Sequence, residues 1–292
     1  MASTSSAERP PNANRHGLSA HLPWQARAYD ASRRLFERSV IAARSVVVGV
    51  GLGLLDRHAL HAIDELYYHR TRMYHDESYN LSGLVPWEAD VLEQHFQGCR
   101  SVLVTAAGAG REVIALERRG LEVAAFECHP ALVQVGNELL ARQRLSSRIV
   151  LAPRDECPAD APVCDSAIAG WASYMLIQPR AARIRFLQQL RTRVPNGAPL
   201  LLSFFARDQD ARHWRLAATI ANGFRRIRRR PRTEVGDDLA PNFVHYFSEA
   251  EVAAELTAGG FRMVEFSTSG YPHAVARAIV PDFNQAMVTT GM

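Results

Sequence analysis

The stretch of residues 101–127 constrains the fold more than any other part of the sequence. Residues 102–105 form a short apolar, β-branched run, which is typical of a buried parallel strand. Residues 106–110 are all alanine or glycine, so a ligand can approach the backbone closely. A helical run over residues 111–119 leads to a second buried strand that ends at Glu127. This order predicts a parallel α/β sheet with a nucleoside site at its strand ends.

The spacing of the glycines distinguishes between two kinds of nucleoside cofactor. A dinucleotide pyrophosphate requires the spacing G-x-G-x-x-G, but Val113 occupies the third glycine position after Gly108 and Gly110. The turn instead resembles the glycine motif of class I S-adenosylmethionine-dependent methyltransferases, whose ligand carries no phosphate. That family usually ends its first strand with an acid two residues before the first glycine. Val104 and Ala106 occupy the positions concerned here.

The resemblance implies a cofactor-binding role for residues at several predicted strand ends. Glu127 follows the turn by about twenty residues, where an acid can bind ribose hydroxyls. By the resemblance, an acid after the third strand would contact the adenine, and a Gly-Trp pair after the fourth strand would border the sulfonium. A tyrosine of the segment before the first strand would close over the cofactor. The predicted cofactor-binding residues are Tyr79, Ala106, Gly108, Gly110, Glu127, Asp155, Gly170 and Trp171.

Several of these residues also fit purely structural roles. Tyr79 belongs to a tyrosine-rich segment, residues 67–80, that reads either as a ligand contact or as a loop packed over the sheet edge. Asp155 also suits a turn, and Trp171 also suits packing against the next helix. The sequence is compatible with both interpretations of these residues.

Two residues are candidates for contact with the acceptor. Tyr174 follows the fourth predicted strand, where the resembled family brings the methyl group and the acceptor together. His245 precedes the last predicted helix, and histidine is the residue type most often used as a general base, so it is the candidate general base. Tyr174 also suits core packing, and His245 also suits a structural role.

The end of the chain resembles the last α/β unit of the same family. Ser248 and Glu251 have the spacing of a capping box before a helix over residues 249–258, followed by two strands, the second at residues 273–280. The resemblance therefore covers residues 102–280. We expect a Rossmann-like α/β fold with a seven-stranded, mostly parallel sheet and an N-terminal helical region.

Patterning also divides the chain into three regions. Residues 1–22 are rich in Ser, Pro, Ala and Asn without a period and predict a disordered tail. Residues 23–97 predict a helical cap, whose helices could form a homodimer. Residues 98–292 form the predicted S-adenosylmethionine-binding domain.

Composition excludes some chemistry. The net charge of +4 is carried by arginine, and the absence of lysine excludes a lysine Schiff base. The four cysteines have no C-x-x-C or zinc-ligand spacing, so we expect reduced thiols and no metal. No run of eighteen uncharged apolar residues and no secretory pattern appear, so we expect a cytoplasmic protein without a membrane partner.

The leading prediction is methyl transfer from S-adenosylmethionine to a small-molecule acceptor, at oxygen or nitrogen. The arginine run at residues 225–230 supports an RNA or protein methyltransferase as an alternative, although arginines also favour helix C-termini, which makes nucleic acid the less favoured partner. A non-catalytic cofactor-binding module also fits the sequence, and a dehydrogenase fits it less well.

Overall fold

The computed structural model describes residues 23–207 and 212–279. The tail predicted at residues 1–22 lies outside the described residues, as does Val280, the expected end of the last strand.

Strands and helices alternate along most of the described chain. The strands are β1 (Ser101–Thr105), β2 (Glu122–Glu127), β3 (Ile149–Leu151), β4 (Ser166–Ala169), β5 (Pro199–Ser203), β6 (Phe205–Ala206), β7 (Asp237–Leu239), β8 (Phe243–Phe247), β9 (Phe261–Ser267) and β10 (His273–Ala278). The α-helices are α1 (Trp24–Leu54), α2 (Arg57–Arg70), α3 (Arg72–His75), α4 (Glu77–Asn80), α5 (Pro86–His95), α6 (Arg111–Glu117), α7 (Pro130–Arg142), α8 (Arg180–Arg191), α9 (Arg212–Ile227) and α10 (Glu249–Ala258).

The central sheet confirms the predicted fold class. Its seven strands lie in the order β3-β2-β1-β4-β5-β10-β9. The pairs among β1 to β5 are parallel, whereas β10 is antiparallel to both of its neighbours. The strand order reverses between β1 and β4, which is the point where ligands bind in sheets of this kind. The prediction did not include a second, three-stranded sheet, β6-β8-β7.

The sheet is buried on both faces because its strands alternate between two apolar layers. Val102 and Val104 of β1 belong to one core cluster, with residues of α5, α6 and α7. Leu103 of β1 belongs to the other, with residues of α8 and α10. This two-residue period explains why the strand reads as a continuous apolar run in the sequence.

The N-terminal helix packs on a segment from the second half of the chain. Gly49 and Gly53 of α1 face α9, and a Cβ added at Gly49 would lie 2.7 Å from the carbonyl oxygen of Ala217. Small residues thus let the two helices approach closely. No single helix among the described residues is long and apolar enough to cross a membrane, although α1 and α2, bent by 117°, pass such a test as a pair.

The arginine run at residues 225–230 caps the C-terminal end of α1. Arg225 donates to the carbonyl oxygens of Leu52 and Leu55, and Arg228 and Arg230 both donate to that of Leu54. The last carbonyls of a helix have no partner within the helix and carry partial negative charge, so cations stabilise them. The run lies at the C-terminal end of its own helix, as expected, and it also joins that helix to α1.

A buried ion pair holds α8 to α10. Arg183 donates from Nε and Nη2 to both carboxylate oxygens of Glu255, at 2.9 and 2.8 Å, and each residue is about 1% exposed. The hydroxyl of Tyr174 donates to the same carboxylate at 2.7 Å. Removal of one partner from such a pair leaves an uncompensated charge in the core.

We therefore expect Glu255→Ala to lower the free energy of unfolding by about 3–5 kcal/mol, because Arg183 would stay buried without its main partner. Glu249→Ala, at an exposed position on the same helix, is the matched control and should cost less than about 1 kcal/mol. Urea unfolding measures both, and equal effects of the two substitutions would contradict the assignment.

Candidate active site

A cavity of about 970 Å³, including the space at its open mouth, lies beyond the carboxyl ends of β1 to β4. It contains the point where the strand order reverses. Six of the eight predicted cofactor-binding residues line it: Tyr79, Ala106, Gly108, Glu127, Asp155 and Trp171. Gly110 and Gly170 do not line the cavity themselves, but each is adjacent in sequence to a residue that does.

Both of these glycines occupy positions that a side chain would disturb. Gly110 begins α6 with a φ of 98°, in the left-handed region that favours glycine. At Gly170 an added Cβ would lie 2.2 Å from the carbonyl oxygen of Ala106. The backbone of Gly170 also donates to the carbonyl oxygen of Thr105 at 2.7 Å. The absence of a side chain at Gly170 therefore lets the end of β4 meet the turn after β1.

Three non-glycine residues around the cavity adopt positive φ. They are Ala106 after β1 (52°), Asp155 after β3 (62°) and Ala172 after β4 (59°). Residues other than glycine rarely adopt this region, and where they do the surrounding structure has to enforce it. Such strain concentrates at functional sites, so its occurrence after three strands that end at this cavity favours the cavity as the site.

Glu127 holds the turn against the end of β2. One of its carboxylate oxygens accepts hydrogen bonds from the backbone N–H groups of Cys128 and His129, at 2.7 and 2.8 Å, and the other accepts one from Gly108 at 2.8 Å. A carboxylate can accept about four hydrogen bonds. Three are made here, so Glu127 can accept one more from a ligand hydroxyl in the cavity.

Residues 57–80, which comprise α2 to α4 and which we call the cover, form the opposite wall. Tyr68, Tyr74 and Tyr79 all line the cavity. Their rings contact one another in sequence, with centroids 5.0 Å apart between Tyr68 and Tyr74 and 6.1 Å apart between Tyr74 and Tyr79. Burial raises the pKa of all three hydroxyls, so they remain neutral at physiological pH.

The cover is fastened to the sheet by an ionic network. Asp64 of α2 is 4% exposed and accepts hydrogen bonds from Arg154, after β3, and from Asn242, before β8. The Nε2 atom of His129 lies 3.5 Å from the same carboxylate. Burial raises the pKa of Asp64, but His129, Arg154 and Asn242 outweigh it and hold the pKa below its ordinary value.

Asp155 takes part in a second attachment of the cover. Its carboxylate accepts a hydrogen bond from Arg57 of α2 at 2.9 Å. The predicted adenine contact is thus also an ion-pair partner, and a ligand at this end of the cavity lies next to the base of the cover.

A buried cluster of charges lies at the other end of the cavity. Arg111 makes two hydrogen bonds of 2.7 Å to Glu88 and one of 2.8 Å to Glu112. Burial raises the pKa of Glu88 above its ordinary value; the negative charge of Glu112 acts in the same direction, and the hydrogen bond from Arg111 opposes it. The guanidinium also lies over the ring of Trp171, 4.9 Å from its centroid, and the backbone N–H of Trp171 donates to Glu112 at 3.1 Å.

The two predicted acceptor contacts do not line the cavity. Tyr174 is fully buried, with its hydroxyl on Glu255 and its ring stacked on Phe247, because α8 and α10 close over it. His245 is 1% exposed; its Nδ1 lies 2.7 Å from Asp237, and its Nε2 has no hydrogen-bond partner. The expected position of these two side chains beside the acceptor is therefore corrected: β8 and the 3₁₀ turn at residues 174–176 direct them into the core.

Sequence reasoning missed Glu112, Arg111 and Glu88, and it also missed the network around Asp64. Glu112 had a usable signal, since it is an acid in the first helical turn after the glycines. Glu88 lies 23 residues from Arg111, and the hydrogen-bond donors to Asp64 lie 90 and 178 residues from it, so no local pattern could indicate these contacts.

The sequence matches no protein-family model and no curated protein. Solved structures share its fold. An S-adenosylmethionine-dependent methyltransferase from Methanosarcina mazei is 17% identical, with a TM-score of 0.52 over 68% of this chain and 99% of that one.

Two further structures carry more specific names. The 1,6-didemethyltoxoflavin-N1-methyltransferase of Burkholderia thailandensis, crystallised with S-adenosylhomocysteine, is 19% identical, with a TM-score of 0.53 over 78% of this chain and 92% of that one. A sugar N-methyltransferase from a Streptoalloteichus species is 15% identical, with a TM-score of 0.50 over 74% and 92%. The chain therefore has the fold of the class I S-adenosylmethionine-dependent methyltransferases.

The Asp64 network generates a prediction about the cover. We expect Asp64→Ala to lower the free energy of unfolding by about 3 kcal/mol, the low end for a buried ion pair because Arg154 is partly exposed. A depressed carboxylate pKa stabilises the fold above about pH 4 and loses this effect as the pH falls through the folded-state pKa. The difference between the variant and the wild type should therefore shrink in acid.

Asp90→Ala is the control for this experiment, since Asp90 is exposed on α5. Denaturant unfolding between pH 3 and pH 7 measures both variants. A difference for Asp64→Ala that is independent of pH would refute the role given to its charge.

Proposed function

We propose that this protein transfers the methyl group of S-adenosylmethionine to a small-molecule acceptor, at oxygen or nitrogen. The observation that carries the proposal is the cavity at the reversal of strand order, where the glycine turn and the acid ending β2 meet. Six residues that the resemblance assigns to the cofactor surround one space, although they come from five separate segments.

The residues present fit this cofactor. Glu127 retains one acceptor position for a ribose hydroxyl, and Gly108 brings bare backbone to the same place. The hydroxyl of Thr105 is buried at the end of β1, lines the cavity and has no hydrogen-bond partner. A buried polar group without a partner is unusual, and a ligand in the cavity would supply one.

The bound cofactor supplies a methyl group that is already activated on a sulfonium. The protein's own contribution is to orient the donor and the acceptor and to exclude water, which can lower a barrier by about 7–11 kcal/mol in favourable cases. The tyrosines of the cover suit both tasks, because they are partly buried, neutral and present aromatic faces that attract a cation.

Aromatic surfaces beside Trp171 support a small, planar or weakly polar acceptor. Tyr271 lies edge-on to Trp171 with ring centroids 5.3 Å apart, and Phe205 and Tyr246 extend the same array. The neighbour from Burkholderia is named for a heteroaromatic acceptor and the one from Streptoalloteichus for a sugar. The positions of Tyr174 and His245 lend no support to the catalytic roles predicted for them.

We propose that nucleic acid is not a partner. Three arginines of the run at residues 225–230 already donate to the carbonyl oxygens at the end of α1. An RNA backbone would have to compete with these bonds. We also propose a cytoplasmic location, with Cys99, Cys128, Cys157 and Cys164 as free thiols.

The outer face of α1 supports the proposed homodimer. Tyr29, Phe36 and Val47 are each about 70% exposed on the side of the helix turned away from α9. They belong to a heptad seam whose positions are Ala26, Tyr29, Arg33, Phe36, Val40, Ala43, Val47, Val50 and Leu54. Only Arg33 interrupts the seam, and four heptads are typical of a coiled coil. A second copy of the same helix is the self-complementary partner for this seam.

Calorimetry with S-adenosylhomocysteine tests the cofactor. We expect Glu127→Gln to weaken its binding by about 10–100-fold, because a hydrogen bond to a charged group contributes about 1.5–3 kcal/mol. Glu138→Gln, at an exposed position on α7, should bind as the wild type does. If the wild type binds no S-adenosylhomocysteine, the proposed function is wrong. Binding without turnover of any acceptor would favour a non-catalytic module.

Light scattering after size-exclusion chromatography tests the dimer. We expect twice the chain mass for the wild type and the chain mass for the double variant Phe36→Glu/Val47→Glu, because two carboxylates would enter the apolar seam. Arg38→Glu changes the net charge equally on the opposite side of α1 and should leave the mass unchanged. A monomeric wild type would rule out the dimer.

A further inference from the structure

The cluster formed by Glu88, Arg111 and Glu112 holds an excess of negative charge. One guanidinium faces two carboxylates, and the three side chains are only 3–8% exposed. Burial of an unpaired charge is costly, so such a cluster favours a further cation. Among the described residues, no second cationic group forms an ion pair with either carboxylate.

The carboxylate that can still interact with a cation is that of Glu112, not that of Glu88. Both oxygens of Glu88 accept from Arg111, and one also accepts from the backbone N–H of Val85. Glu112 uses only Oε1, which accepts from Arg111 and from the backbone N–H of Trp171. No donor within the described residues reaches its Oε2. Glu112 lines the cavity, whereas Glu88 does not.

The sheet order places Glu112 at one end of the proposed ligand. A ribose on Glu127 lies at β2, and a base near Asp155 lies towards β3. The rest of the ligand must then extend the other way, across β1 to the end of β4. Trp171 stands there, with its backbone N–H on Glu112. In S-adenosylmethionine this part is the methionine, which carries an ammonium group.

A second observation points to a ligand at the same place. Thr105, the last residue of β1, is 4% exposed and lines the cavity, and its hydroxyl has no hydrogen-bond partner. Thr105 lies between Val104 and Ala106, whose side chains carry no acid. Among the described residues that line this end of the cavity, Glu112 in the first turn of α6 is the acid with a carboxylate oxygen free of hydrogen bonds.

We propose that Glu112 binds the ammonium group of the methionine portion of the cofactor, in place of an acid at the end of the first strand. The inference rests on the proposed function. Arg111 acts as a positioning residue: it fixes Glu112 from one side while Glu88 holds the guanidinium from the other. The ammonium pairs with the oxygen of Glu112 that accepts no hydrogen bond from Arg111 or Trp171.

A comparison of two nucleosides distinguishes binding of the ammonium group by Glu112 from binding of the adenosine by the rest of the site. 5′-Methylthioadenosine shares the adenosine and the thioether of S-adenosylhomocysteine but lacks the amino acid. We expect Glu112→Gln to weaken S-adenosylhomocysteine by about 10–100-fold in calorimetry, the effect of one charged hydrogen bond, and to leave 5′-methylthioadenosine unchanged. Glu138→Gln is the control and should alter neither affinity.

The deaminated analogue of S-adenosylhomocysteine tests the same contact from the ligand's side, because it lacks the amino group. Loss of the amino group should weaken binding to the wild type by the same factor and should cost nothing further in Glu112→Gln. The proposal would be overturned if Glu112→Gln lowered the affinities for S-adenosylhomocysteine and 5′-methylthioadenosine by the same factor. It would also be overturned if deamination lowered the affinity equally in the variant and the wild type. Deamination that does not weaken binding to the wild type overturns it even if the variant fails to fold.

These outcomes are distinct from a failure of the proposed function. If the wild type binds neither nucleoside, the cofactor assignment fails and this inference with it. If the wild type binds both with the same affinity, the cofactor assignment stands and Glu112 has no ammonium partner.

Discussion

The close approach of two backbone segments creates the cavity on which the rest of the site depends. The N–H of Gly170 donates to the carbonyl oxygen of Thr105, and no Cβ fits between them. This contact joins the ends of β1 and β4 at the reversal of strand order, while Glu127 joins the same turn to β2. Three strand ends are therefore fixed relative to one another through backbone groups and a single carboxylate.

The N-terminal helices complete this arrangement from outside the sheet. Asp64 and Arg57 fasten the cover to the strand ends, and the arginines after α9 close the C-terminal end of α1. The cover is thus held by ion pairs, whereas its tyrosines form its inner surface. Ionic attachments can open without loss of an apolar core, which suits a wall that has to admit a ligand.

The α/β unit and the turn that borders the cavity could be predicted from the sequence, because they depend on residues that are close together along the chain. The alternation of Val102 to Val104, the bare turn and the acid at Glu127 are local features, and all occupy the expected strand, turn and strand end. The surroundings of Tyr174 and His245 were beyond reach, since Glu255 is 81 residues from Tyr174 and no local pattern shows which face of a short strand is buried. The arginine run was ambiguous for the same reason. Its partners in α1 lie 170 or more residues away.

The charge cluster also determines which step of a reaction Glu112 can affect. The ammonium group of the methionine is present before and after methyl transfer, so an acid that binds it stabilises the donor and the product alike. Such uniform binding lowers KM and leaves kcat unchanged. The sulfonium charge, in contrast, disappears as the methyl group leaves. Discrimination between donor and product must therefore come from the groups that face the sulfur, and the aromatic faces of the cover and of Trp171 have the right chemistry, since cation–π attraction is lost with that charge.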